Sequence, residues 1–232
     1  MKFSTYTLFT ILTFVMSFTT LTAEDYAVAG YVKGKVSILS ADDSAKLWKA
    51  FKVNDVIKPG DTLKTGNGSK VDLIFKESEF RIQPNTTFTL KEWDTKKQIS
   101  SAYVENGAAW FKAKDFKKGK FEVSLPTSTA GVRGTAFGVY YIPKEQVGYT
   151  CVCEGKVDVN GTVFTQGNGA SVKLGSNEVS KNEYKTLITK EGALPEIKDK
   201  MKDSPMLSNC LSCHKPKGWD AKDRIPDEKY GK

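Results

Sequence analysis

The residues whose types and spacing indicate chemistry lie near the carboxyl terminus, in NCLSCHKPKGW. There, Cys210 and Cys213 are separated by two residues, and His214, the chain's only histidine, follows directly. Two thiolates at this spacing reach both vinyl groups of a haem, and the adjacent imidazole ligates the iron. The sequence predicts covalently attached haem c, with Cys210 and Cys213 binding the cofactor and His214 as the iron's axial ligand.

The opposite side of that haem has no obvious ligand. No methionine follows His214, and Met206 is the nearest one upstream. Met206 is the candidate sixth ligand, while a lysine, a water molecule or a group from the rest of the chain are alternatives. Because the chain ends at Lys232, few residues remain to build a cover, which Trp219 and Tyr230 could provide on one side.

Two alternative roles for these cysteines stay open. A C-x-x-C spacing also suits a structural or redox-active disulfide between Cys210 and Cys213. Alternatively, Cys151 and Cys153 join the carboxyl-terminal group around a metal ion. Cys151 and Cys153 are two apart on a predicted strand and therefore share a face, although a place in the core as small residues would account for them equally well.

The amino-terminal segment predicts export. Lys2 precedes an apolar stretch, and Ala23 stands before the acidic pair Glu24-Asp25, so residues 1–23 have the form of a cleavable signal peptide. The alternative is an uncleaved membrane anchor, which would be the protein's only membrane contact. We expect a periplasmic or otherwise exported protein, which is also where haem attachment of this type takes place.

The positive charge of the chain is diffuse. Its formal net charge is +8, and Asp115 interrupts the densest basic run, residues 112–120. Nucleic-acid binding would need a basic stripe with interleaved aromatic residues. We expect a solvated hairpin face and no nucleic-acid partner, with attraction to an acidic partner or an anionic surface as the alternative.

The middle of the chain predicts an all-β fold. Short segments of alternating apolar and polar residues, such as VDLIF, FEVSL and AFGVYYI, are separated by Gly, Pro and Asn in KPGD, TGNG and QGNG. Asn160-Gly161, between alternating residues, predicts a type I′ hairpin turn. The pattern predicts many short strands.

Residues 28–175 also resemble the FecR domain. The resemblance rests on the ordered blocks VIKPGDTLKTGNGSKVDLIF, ESEFRIQPNTTFTL, GVRGTAFGV and EGKVDV. It implies a twisted, β-solenoid-like fold and a periplasmic recognition or signalling role with an unidentified protein partner in the cell envelope. The best-known members place a cytoplasmic anti-sigma segment and a membrane helix before this domain. Because a signal peptide leads directly into the first strand here, we do not expect the anti-sigma role.

Two motifs within these blocks have predicted structural roles. Asp61, after Gly60, is predicted to cap a turn through its carboxylate. Gly131 and Gly134 flank Arg133 and would permit positive φ or a close backbone approach at a tight corner. Arg133 could bind an acidic partner or bond to nearby carbonyls.

The chain divides into four predicted parts: a signal peptide (1–23), a FecR-like β domain (24–175), a helical linker (176–208) and the C-x-x-C-H tail (209–232). Helix-compatible spacing in NEVSKNEYKTLITKEG supports the short helical appendage. There is no nucleophile elbow, no histidine for a triad other than His214, and no phosphate-binding glycine loop before a helix. We therefore expect a binding or sensory protein and not an enzyme.

Overall fold

The computed structural model describes residues 26–75, 77–94, 99–114, 120–132 and 134–183. Every regular element of these residues is a strand, which confirms the predicted all-β class. In chain order the strands are β1 Ala27–Lys33, β2 Val36–Leu39, β3 Lys49–Ala50, β4 Val56–Ile57, β5 Thr62–Thr65, β6 Lys70–Phe75, β7 Ser78–Ile82, β8 Thr87–Asp94, β9 Ile99–Lys112, β10 Lys120–Ser124, β11 Thr129–Val132, β12 Ala136–Ile142, β13 Val147–Glu154, β14 Lys156–Val159, β15 Thr162–Thr165, β16 Asn168–Lys173 and β17 Ser180–Glu183.

These strands pair into two sheets. Sheet 1 has the order β4-β1-β6-β7-β9-β12-β13-β16-β17. Sheet 2 has the order β3-β2-β5-β8-β9-β10-β11-β14-β15. All pairs are antiparallel except β9 with β10. The pairings establish two sheets, and they do not confirm the β-solenoid-like form that the resemblance implied.

Strand β9 belongs to both sheets. Its first half pairs with β8 and β10 in sheet 2, and its second half pairs with β7 and β12 in sheet 1. The crossing point is Gly107, whose φ is +83°. A Cβ at Gly107 would lie 2.7 Å from the carbonyl oxygen of Asn85. Only glycine allows both this dihedral and this close approach.

The core lies between the sheets and is rich in aromatic rings. Sheet 1 contributes Phe75, Phe80 and Phe111, and sheet 2 contributes Trp93 and Phe121, all of them buried. Ring centroids are 3.9 Å apart for Phe75 and Trp93, and 5.1 Å apart for Phe80 and Phe121. Such contacts between rings from different sheets fix how the sheets face each other.

The carboxyl-terminal end of the β domain differs from the prediction. Residues Ser180–Glu183, placed in the helical linker, form β17 along β16. The helical spacing in this stretch is short, and the backbone groups of an edge strand offer hydrogen bonds that override such a weak preference. The β structure thus extends beyond residue 175. Residues 184–208 of the predicted linker lie outside the described residues, as do residues 1–25 and 209–232.

Two predicted turns are confirmed. Asn160 and Gly161 have φ values of +48° and +86° and join β14 to β15, as a type I′ turn requires. The Asp61 carboxylate accepts hydrogen bonds from the backbone N–H groups of Ala41 at 2.8 Å and Lys58 at 2.9 Å, and from the Ser40 hydroxyl at 3.1 Å. Asp61 is buried, so it fastens the segment after β2 to the turn before β5.

Substituting Asp61 tests this fastening. We expect Asp61→Ala to lower the free energy of unfolding by about 2–3 kcal/mol, because three partly buried hydrogen bonds to one carboxylate are then lost. Chemical denaturation measures the loss. The matched control is Asp55→Ala, since Asp55 is exposed and accepts from the Lys52 N–H at 2.7 Å. Equal losses for the two variants would contradict a special role for Asp61.

Candidate functional site

The predicted haem-attachment residues are not among those described. Cys210, Cys213, His214 and the candidate sixth ligand Met206 all lie beyond residue 183. Arg133 also lies outside the described residues. The haem site therefore stays a prediction. The described β domain could contribute side chains that act as additional ligands.

Cys151 and Cys153 lie on the outer face of sheet 1. Both are half-buried in β13, whereas the intervening Val152 points into the core. They therefore share a face, as predicted, but they are not core residues. Gly138 stands opposite Cys151 on β12, and a Cβ there would lie 3.0 Å from the Cys151 Sγ. The glycine thus leaves space for this thiol.

The β domain offers few ligands for a metal or a haem iron. Within the part of the chain that the structure describes, no three His, Cys, Asp or Glu residues form a group that could hold a metal ion. The single histidine and all four methionines lie outside residues 26–183. Cys151 and Cys153 are consequently the softest donors that the described domain could supply.

An arginine and a tryptophan dominate the same outer face. Through the strand register, Arg81 of β7 stands opposite Trp110 of β9, and Trp110 stands opposite Gly138. The Arg81 guanidinium carbon lies 4.5 Å from the centroid of the Trp110 ring, and its Nε donates to the Glu79 carboxylate at 2.6 Å. These contacts make a cation–π pair anchored by an ion pair.

Both members of this pair are buried, with exposed fractions of 8% for Arg81 and 7% for Trp110. Trp110 Nε1 is also buried, and no described residue accepts a hydrogen bond from it. Sequence reasoning missed the pair. The signal was present in FRIQ and AAWF, where alternation puts Arg81 and Trp110 on the face opposite to Phe80 and Phe111.

Two tyrosines extend this face. Tyr140 and Tyr149 stand opposite each other on β12 and β13. Burial raises the pKa of both phenols above the ordinary value of 10.0, and the negative charge of Glu145 raises both further. A hydrogen bond with Glu145 also raises the pKa of Tyr149. The neutral phenols are therefore favoured in the folded protein.

These shifts predict a pH dependence. Since both folded-state pKa values exceed the unfolded value of about 10, stability from this pair is complete below that pH. It is lost as the pH rises through the folded pKa values. We expect an ultraviolet titration of the folded protein to show late-ionising tyrosines, among them Tyr103, whose pKa burial also raises, and each of Tyr140→Phe and Tyr149→Phe should remove one of them.

Glu145→Gln provides the control for the electrostatic part of this effect. It removes the negative charge but keeps both phenols, so the late ionisation should move to lower pH without vanishing. Unchanged titration curves in all three variants would contradict the assignment.

The outer face of sheet 2 carries an open groove of about 790 Å³. Its floor is Gly131 of β11, which stands between Glu122 of β10 and Asp158 of β14. Lys120, which forms an ion pair with Glu122, and Lys156 add positive charge at its walls. Gly131 leaves the floor of the groove without a side chain, and positive and negative side chains alternate around it. This arrangement suits the binding of a polar segment of a partner protein.

The two glycines flanking Arg133 differ in conformation. Gly134 has a φ of +61°, as predicted for a corner. Gly131 lies within a regular strand without positive φ, because it pairs on both sides with neighbouring strands. Its lack of a side chain opens the groove and does not form a turn.

Comparison with protein families matches the centre of this domain. Residues 61–158 match the family described as FecR protein. The matched segment runs from the Asp61 cap through the aromatic core and β9 to the groove residue Asp158. The matched residues lie within residues 28–175, the span in which the sequence resembles the FecR domain.

The solved structures that resemble the chain include two crystal structures, at 1.65 and 2.50 Å resolution, titled as of "a putative anti-sigma factor from Parabacteroides distasonis ATCC 8503". Their sequence identities are 18% and 17%, and each TM-score is 0.46. Each match covers 53% of this chain and 59% of that chain, less than two thirds of its length. No curated protein matched the sequence. In the described residues, no helix has the length and apolar character needed to cross a membrane.

Proposed function

We propose that the protein is an exported binding or sensory protein of the cell envelope. In this proposal a FecR-type β domain docks a protein partner in the periplasm, and a haem c attached at the carboxyl terminus serves electron transfer or sensing. The observation that carries the proposal is the presence, in one chain, of the FecR segment and the C-x-x-C-H of residues 210–214.

The β domain supports a role in binding. Its two sheets share one aromatic core, and each sheet has an outer face directed away from it. One face carries the mixed-charge groove over Gly131, and the other carries Arg81, Trp110 and the Cys151–Cys153 pair. Of the two, the open groove with its localised charged groups suits recognition of a protein partner.

The carboxyl-terminal residues have defined roles in the proposal. The thiols of Cys210 and Cys213 form thioether bonds to the vinyl groups, and His214 ligates the iron from one side. When bound, the haem supplies one-electron chemistry or an iron site for a small ligand. Met206 is the candidate for the opposite side, since residues 26–183 contain neither histidine nor methionine.

Mass spectrometry and absorbance together test the haem. The full chain is produced in a host with c-type haem maturation machinery, and its denatured mass and pyridine haemochrome spectrum are recorded. We expect a chain beginning at Glu24 with the mass of one haem added, because thioethers survive denaturation and reduction. Cys210→Ala with Cys213→Ala should abolish both signals.

The matched control is Cys151→Ala with Cys153→Ala, which should retain the added mass and the spectrum. An unmodified mass without haem absorbance would overturn the haem proposal. If thiol labelling of that unmodified chain then increased on reduction, the result would favour an envelope scaffold with a tail disulfide.

A further inference from the structure

The outer face of sheet 1 is buried around Arg81 and Trp110, where a two-sheet domain would ordinarily meet water. Arg81 and Trp110 alternate with the core residues Phe80 and Phe111, so their side chains point away from sheet 2. Ala108 and Ala136 on the same face are only 3% and 5% exposed. This face therefore has the burial of an interface.

An arginine is almost never buried without surrounding partners. Glu79 and the Trp110 ring enclose Arg81 from the side, within the face itself. The strands of the described residues form only the two sheets, and sheet 2 lies on the other side. The indole Nε1 of Trp110 is buried and has no acceptor among the described residues. Because a buried indole N–H usually donates a hydrogen bond, we expect an acceptor above this face.

The course of the chain indicates what provides this cover. β17 is the edge strand of sheet 1, and it ends at Glu183. Four strand spacings separate β17 from β9, a distance of roughly 19 Å, which about 13 residues of helix or fewer extended residues span. Residues 184–232 are more than sufficient. Val179, just before β17, already packs against the core and holds this exit point in place.

We propose that the segment 184–232 packs across the outer face of sheet 1, over Arg81 and Trp110. Its apolar residues Leu187, Ile188 and Leu194 supply the contact surface. This arrangement places Cys210, Cys213 and His214 on the same side of the domain as Cys151 and Cys153. It holds whether or not a haem is attached, so it is tested independently of the proposed function.

Chemical cross-linking of the full chain tests the proposal directly. A short lysine-reactive cross-linker is applied to the native protein, and peptides that join segment 184–232 to the β domain are identified. The outer face of sheet 1 carries Lys70, Lys112 and Lys173, and the outer face of sheet 2 carries Lys64, Lys120 and Lys156. We expect the tail lysines to link to the first three at least about fivefold more often, since the core separates the faces by the thickness of two sheets.

Mixing light and isotopically heavy chains separates intramolecular from intermolecular cover. Links within one isotope support the proposal. Mixed-isotope links at Lys112 would overturn it and assign the cover to a second copy. Equal linking to both faces, or linking to sheet 2 alone, would also overturn it.

A pair of substitutions provides a second test. Arg81→Ala removes the buried cation, and we expect tryptic cleavage within residues 184–232 to accelerate about tenfold, since the segment then loses part of the surface against which it packs. The matched control is Lys64→Ala, because Lys64 lies 4.6 Å from the Trp48 ring in an exposed pair on sheet 2. It should change the cleavage rate by less than about twofold.

Cleavage within the β domain itself would show that Arg81→Ala has unfolded it. In that case the cross-linking pattern of the unsubstituted chain decides whether segment 184–232 covers sheet 1. Unchanged cleavage of residues 184–232 in a folded Arg81→Ala variant would contradict the role given to this face.

Discussion

The whole domain depends on one strand that serves two sheets. β9 passes from sheet 2 to sheet 1 at Gly107, where positive φ and the proximity of Asn85 exclude a side chain. Because the same strand is a central member of both sheets, each sheet fixes the position of the other. The aromatic rings of Phe80, Phe111 and Phe121 fill the space that this crossing defines.

This arrangement produces two outer faces of different character. On sheet 2, Gly131 forms the floor of an open groove with alternating charges. On sheet 1, Arg81 and Trp110 form a buried pair, and two cysteines stand beside them on β13. The first face resembles a surface that meets polar partners, whereas the second has the burial of an internal interface.

Local sequence features predicted a substantial part of this structure. The Asn160-Gly161 turn, the Asp61 cap and the alternating strands were confirmed because each depends on a few neighbouring residues and their own dihedral preferences. The helix prediction was wrong for Ser180–Glu183, because pairing with β16 is a long-range interaction that spacing does not reveal. The burial of Arg81 was missed for the same reason: alternation tells which residues share a face, but not what covers it.

The sequence by itself determined the all-β class, the hairpin turn and the cap, since these reside in residue types and short spacings, and it predicts the haem attachment at residues 210–214. Only the tertiary structure decided that Cys151 and Cys153 lie outside the core, beside Arg81 and Trp110. Strand register decided it, because β7, β9 and the β12–β13 hairpin are separated in the chain by other strands and become neighbours only through backbone hydrogen bonds. Those bonds involve atoms common to every residue, so side-chain patterns alone do not specify which strands become neighbours.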